Sequence, residues 1–185
     1  MKAWRALHNC ILAAILLLGA FGPAAAQTVR LDDLFGQLQT ATDEEAGQIT
    51  QSIWIEWSKS GSAAMDLLLK RGRDALNAGN PQAAIEHFTA LIDHAPDFAE
   101  GYNARATAYF QTGDLGPSVS DIARTLTLNP RHFGAMSGLG MIFEQLNEPA
   151  KALEVYRAAL AVNPHMADIK DAVKRLEAKL AGQEL

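Results

Sequence analysis

Three prolines, Pro96, Pro130 and Pro164, stand 34 residues apart, and this fixed step limits the possible folds more than any other feature of the chain. The segments around them, "HAPDFAEGYNARA", "LNPRHFGAMSGLG" and "VNPHMADI", line up. Other positions keep the step. Gly72, Ala106 and Gly140 form a register of small residues, and Phe88, Ile122 and Tyr156 one of large apolar residues. Ala75, Tyr109 and Phe143 form a third. Gly79, Gly113 and Asn147 form a fourth, and each tolerates a left-handed backbone.

The chemistry of one period predicts two helices. "AMDLLLKRGRDALNAGN" carries apolar residues at helical spacing and stops at its Gly-Asn pair. Pro81 then opens "PQAAIEHFTALIDHA", at the position in a helix where proline is welcome. Pro96 closes that helix and starts the next period. A lone pair of antiparallel helices cannot bury its apolar face, so such pairs stack on one another. The small register lets backbones approach, and the large register fills the space between the two helices of a pair.

The period, the small residue in the first helix, the large one in the second and the closing proline resemble the tetratricopeptide repeat (TPR) family. The resemblance runs from Met65 to about Pro164. It implies an all-α fold, a short right-handed solenoid of three antiparallel pairs over residues 65–98, 99–132 and 133–164. Ala84 and Ala152 keep the family's alanine early in the second helix, and Ser118 replaces it. In this family the first helices line a concave groove that binds other proteins. Carried onto this chain by helical period, the groove takes in Arg73, Asn103, Thr107, Phe110, Gly134, Gly138, Met141 and Gln145, with Leu69 and Ser137 on the same side. Phe110 and Met141 would hold an apolar side chain, and Asn103 and Arg73 a peptide backbone. One family subset grips a chaperone's C-terminal carboxylate with lysines, asparagines and an arginine. Leu69, Ala104, Gly134 and Gly138 stand where several of those polar residues would be expected, so this chain lacks that clamp.

Both ends flank the repeats. "LDDLFGQLQTATDEEAGQITQSIWIEWSKSG" reads as a helical hairpin or degenerate repeat within residues 27–64, with Asp43 capping its second helix. Trp54 and Trp57 precede Phe88 and Leu91 by one period. Trp54 is therefore expected in the core, as Phe88 is; for Trp57, packing and ligand contact both stay open. Residues 165–185 read as a capping helix with Ile169, Val173, Leu176 and Leu180 inward and an Asp171–Arg175 pair outside.

The first 26 residues read as an address. Lys2 and Arg5 precede an apolar run from Cys10 to Ala20, and then come Pro23 and "AAA". That is the order of a cleaved secretory signal, cut after Ala26, and the run is short for a membrane span. An uncleaved anchor is the alternative. Cleavage would remove the lone cysteine, and a thiol-free exported chain fits a bacterial periplasm. The net charge of −5 at pH 7 argues against a nucleic-acid partner. No HExxH, GxSxG, P-loop or CxxC motif occurs, so neither an enzyme, a metal site nor a cofactor is expected. The expected role is a non-enzymatic scaffold that binds a protein or extended peptide. A carrier of a small apolar ligand, held in the groove or by the tryptophan hairpin, is the alternative.

Overall fold

The computed structural model describes residues 23–182, and the proposed signal lies mostly outside them. The described residues form nine α-helices and no strand. They are α1 (Pro23–Thr40), α2 (Asp43–Trp57), α3 (Ala63–Asn77), α4 (Pro81–His94), α5 (Ala99–Thr112), α6 (Leu115–Leu128), α7 (Phe133–Gln145), α8 (Pro149–Val162) and α9 (Ala167–Ala181). None of the described helices is long and apolar enough to cross a membrane. Pairs α3/α4, α5/α6 and α7/α8 are the three repeats, and α9 lies against α8.

One device turns the chain in all three pairs. Gly79, Gly113 and Asn147 adopt positive φ, at 73°, 82° and 56°. The next residue's N–H reaches back to a helix carbonyl five residues earlier: Asn80 to Ala75 (2.9 Å), Asp114 to Tyr109 (2.9 Å) and Glu148 to Phe143 (2.8 Å). This left-handed C-cap satisfies carbonyls that the helix end leaves open. Asn80 then accepts from the Ala83 N–H, with Pro81 opening α4.

The small and large registers meet face to face. Phe88, Ile122 and Tyr156 are all but completely buried. A Cβ on Gly72 would collide with the Phe88 ring, and one on Gly140 with the Tyr156 ring. In the middle pair the smaller Ile122 leaves room for Ala106. Glycine accompanies an aromatic and alanine an isoleucine, so each pair conserves the volume of its interface. Ser118 is buried, and its hydroxyl donates to the Ala106 carbonyl (2.8 Å), which explains how a polar atom replaces alanine there.

The N-terminal hairpin departs from the expected stacking. Its apolar face (Leu34, Phe35, Leu38, Ala46, Ile53 and Trp57) packs on Phe133 of α7, with Val162 and Met166 at the margin. The separate cluster around Leu69 and Phe88 draws on no hairpin residue, and Leu67 of α3 stays 47 % exposed. The hairpin thus crosses to the third repeat instead of extending the row. Gln39 donates to the Val162 carbonyl (2.8 Å), Arg131 pairs with Asp32 (2.5 Å), and His165 bridges Asp43 (2.6 Å) and the Leu38 carbonyl (3.1 Å). Its cap also falls one residue earlier than expected: Thr42 and Glu45 form a reciprocal capping box, and Asp43 is the first helical residue.

At the other end, α9 buries Ile169, Ala172 and Leu176 against α8. The expected Asp171–Arg175 pair is absent. Asp171 meets Lys174 (3.3 Å), and Arg175 crosses to Glu144 of α7. That guanidinium, helped by the Tyr156 hydroxyl, holds the Glu144 carboxyl below its ordinary pKa against the opposing effect of burial.

Candidate functional site

Between α5 and α7, the first helices of successive pairs, lies a cavity of about 210 Å³. Its floor is Ala106, Ile122, Ala135 and Ile142, all at most 3 % exposed. Phe110 and the half-exposed Met141 form the rim, and Asn103, Thr107, Ser118, Gly134, Ser137 and Gly138 complete the lining. The walls therefore carry no charged side chain. Six of the eight expected groove residues, Asn103, Thr107, Phe110, Gly134, Gly138 and Met141, meet here. Arg73 and Gln145 do not line it. Leu69, expected on the same side, is 2 % exposed and belongs to the core of the first repeat.

The two groove glycines differ. A Cβ on Gly138 would find ordinary contact, 3.7 Å from Ile122, so its bare backbone does open to the cavity. A Cβ on Gly134 would meet the Trp54 ring at 2.5 Å. Gly134 thus receives the chain's own Trp54 ring. Trp54 is half-buried, whereas Trp57 is only 5 % exposed, so the expected core residue is the outer of the two. Trp57 stacks on His132 at 4.2 Å and 15°, and Trp54 stands edge-on to it at 5.1 Å.

Behind the groove sits a buried polar cluster that reading the sequence did not find. Glu100, 3 % exposed, accepts from Arg73 (2.5 Å), His132 Nε2 (2.9 Å) and Asn103 Nδ2 (3.1 Å). His132 Nδ1 accepts the Ala135 N–H at 3.0 Å and caps α7. A ring nitrogen that accepts carries no proton, so the proton lies on Nε2 and is given to Glu100. Arg73 also donates to Ser58 at the end of α2 (3.0 Å). One carboxylate therefore joins the docked hairpin to a groove side chain. The legible trace was in the register Phe98, His132, Met166, where a polar residue interrupts an apolar column. Glu100 itself left none, because an acidic residue in a first helical turn is ordinary.

A wider cleft of about 610 Å³ separates the hairpin from the turns before α5 and α7, lined in part by Leu31, Phe35, Trp57, Pro96 and Pro130. Among the described residues no group of three or more His, Cys, Asp or Glu side chains is placed to hold a metal ion.

The comparisons agree with this geometry. The tetratricopeptide repeat family matches residues 69–116 and 118–167. A TPR repeat-containing protein of Rhizobium etli is 36 % identical over 154 residues, 83 % of this chain and 76 % of that protein. The Protein SGT1 homolog of Bos taurus is 30 % identical over 122 residues; the match spans 66 % of this chain but only 36 % of that protein. Among solved structures, the first TPR of Spaghetti (RPAP3) bound to the HSP90 peptide SRMEEVD superposes with a TM-score of 0.61 at 23 % identity, over 63 % of this chain and 93 % of that one. Family match, relatives and helix geometry converge on one conclusion: this chain belongs to the tetratricopeptide repeat family.

Proposed function

We propose that the chain is a non-enzymatic protein- or peptide-binding module that works through the groove between α5 and α7, in the periplasm after export. The observation that carries this is the cavity itself: an apolar floor, an exposed Met141 at the lip and a bare backbone at Gly138, on first helices of adjacent repeats. An exposed apolar recess on an otherwise polar helix face favours a partner side chain. The Spaghetti domain holds its peptide on the same kind of scaffold, which makes a peptide partner a natural reading here. Export rests on the basic, apolar and small-residue order of residues 1–26.

Capture of partners from a periplasmic extract, followed by affinity measurement, tests the reading. Gly138→Gln, which fills the opening, and Asn103→Ala should each weaken binding several-fold, while Lys174→Ala on α9 should not. Equal affinity for all three variants would remove the groove from consideration. N-terminal sequencing of the native protein should begin at Gln27; an intact Met1 would refute export by cleavage.

A carrier of a small apolar ligand is the second reading. One observation favours it: Trp57 lines the wider cleft, and its buried indole N–H has no hydrogen-bond partner. Native mass spectrometry that found a retained small molecule, lost on Trp57→Phe, would support this reading over the first.

A further inference from the structure

We propose that the groove accepts an internal, uncharged stretch of a partner chain and rejects a free C-terminal carboxylate. This rests on the groove reading above and names the class of segment that fits.

Which polar atoms the groove leaves available decides the matter. The Asn103 amide nitrogen donates to Glu100 at 3.1 Å. That carboxylate also accepts from Arg73 and His132, which fixes the orientation of the Asn103 amide. What Asn103 retains for a visitor is its carbonyl oxygen and one amide N–H. Thr107 donates its hydroxyl proton to the Asn103 backbone carbonyl (3.1 Å), and Ser137 donates to the Phe133 carbonyl (2.8 Å). Each hydroxyl is left with lone pairs. Three polar side chains of the lining therefore present acceptors.

Donors that would hold an anion are scarce at the cavity. The Ala135 N–H, at the positive end of α7, is capped by His132. The Arg73 guanidinium reaches Glu100 and Ser58 and does not line the cavity. No cationic side chain lines the cavity, and a buried carboxylate stands one hydrogen bond behind it. A chain-terminal carboxylate has acceptor oxygens only, so it would lose its water and meet mostly lone pairs in return, at a large desolvation cost. An internal segment brings what is missing. Its backbone N–H groups supply the donors, and an apolar side chain fills the recess between Phe110, Ile122, Met141 and Ile142. Charge complementarity excludes acidic flanks for the same reason.

The full chain can be challenged with two displayed libraries of short random peptides, one tethered at both ends and one with a free C-terminal carboxylate. Tethered peptides should be enriched, centred on Leu, Met or Phe without neighbouring acids. Methylating the peptide amide next to that anchor should weaken binding to the wild-type chain about tenfold, the worth of one buried hydrogen bond. The same methylation should have little further effect on Asn103→Ala, whose folding is checked by its thermal midpoint. Enrichment of free-carboxylate peptides alone, abolished by Gly138→Gln, overturns this inference and leaves the groove reading standing. Enrichment from neither library, or binding indifferent to Gly138→Gln, overturns both. Equal methylation effects in the wild-type chain and Asn103→Ala overturn the role given to the Asn103 carbonyl.

Discussion

The repeat hairpin α3/α4 and the N-terminal hairpin α1/α2 carry large aromatics at equivalent steps, yet they bury them differently. Phe88 sits wholly inside its own hairpin, against Gly72. Trp54, one period earlier, has Leu38 at the position that matches Gly72, and Leu38 is fully buried. A leucine there removes the recess that receives Phe88. Trp54 turns outward and finds its glycine in another repeat, at Gly134. The turns differ too. Gly79 closes α3/α4 with a left-handed cap, whereas the α1–α2 link uses a Thr42 capping box without any positive φ. An aromatic register is therefore not enough to make a stacking repeat; the facing small residue decides where the ring goes.

The largest effect that tests this contrast should come from truncating the two rings. Phe88→Ala should cost about 3–5 kcal/mol in urea unfolding, as for other fully buried aromatics. Trp54→Ala should cost roughly half of that, because part of its surface is already wet. Equal losses would mean that Trp54 is as central as its register suggests.

Next come the glycines that receive the rings. Gly140→Leu should destabilise the whole chain by about 1–3 kcal/mol through the Tyr156 ring. Gly140→Ala should also destabilise it, despite alanine's better helix propensity, since even a Cβ lacks room there. Gly134→Leu should act locally: hydrogen exchange should quicken in α1 and α2 and stay slow in α3–α8. Uniform acceleration would show that the hairpin is an integral part of the array.

A smaller effect separates the turns. Asn147→Ala should cost about 1 kcal/mol, the penalty for a Cβ-bearing residue without a local hydrogen-bonding group at φ 56°. Ala41→Gly, in the α1–α2 link, should bring no gain beyond added chain entropy. A stabilised Ala41→Gly variant would say that this link strains toward the repeat turn.

The smallest effect is in pH. Glu144 is held below its ordinary value chiefly by Arg175, so the contribution of this pair is complete above the unfolded carboxyl value of about 4.5 and is lost as pH falls through the folded value. With Arg175 60 % exposed, it should amount to well under 1 kcal/mol. Arg175→Ala should therefore lower stability slightly at pH 7, by well under 1 kcal/mol, and hardly at all once Glu144 is protonated, so that the acid limb flattens. Asp43, lowered by His165, follows the same sign at the hairpin contact.

Much of the molecule was legible because its information is local and repeated. The 34-residue step, the three left-handed turns at Gly79, Gly113 and Asn147, and the small-against-large registers can each be read from residues a fixed distance apart. Six residues that line the α5/α7 cavity followed from the family resemblance, carried onto this chain by helical period. Trp54 and Glu100 show where that kind of reading ends. The register put Trp54 inside its own hairpin, but whether a slot existed depended on Leu38. Glu100 gains its meaning only from Arg73, 27 residues before it, and His132, 32 residues after it, neither on a repeat multiple.

The sequence by itself thus determined the helix pairs, their turns and the row in which they stack, because each depends on neighbours one turn or one period away. Only the tertiary structure decided that the N-terminal hairpin crosses to the third repeat, that Trp54 fills the gap at Gly134, and that the Asn103 amide turns its nitrogen to Glu100. Those outcomes depend on which volumes and which hydrogen-bond donors remain free after distant segments meet, and no spacing along the chain encodes that remainder.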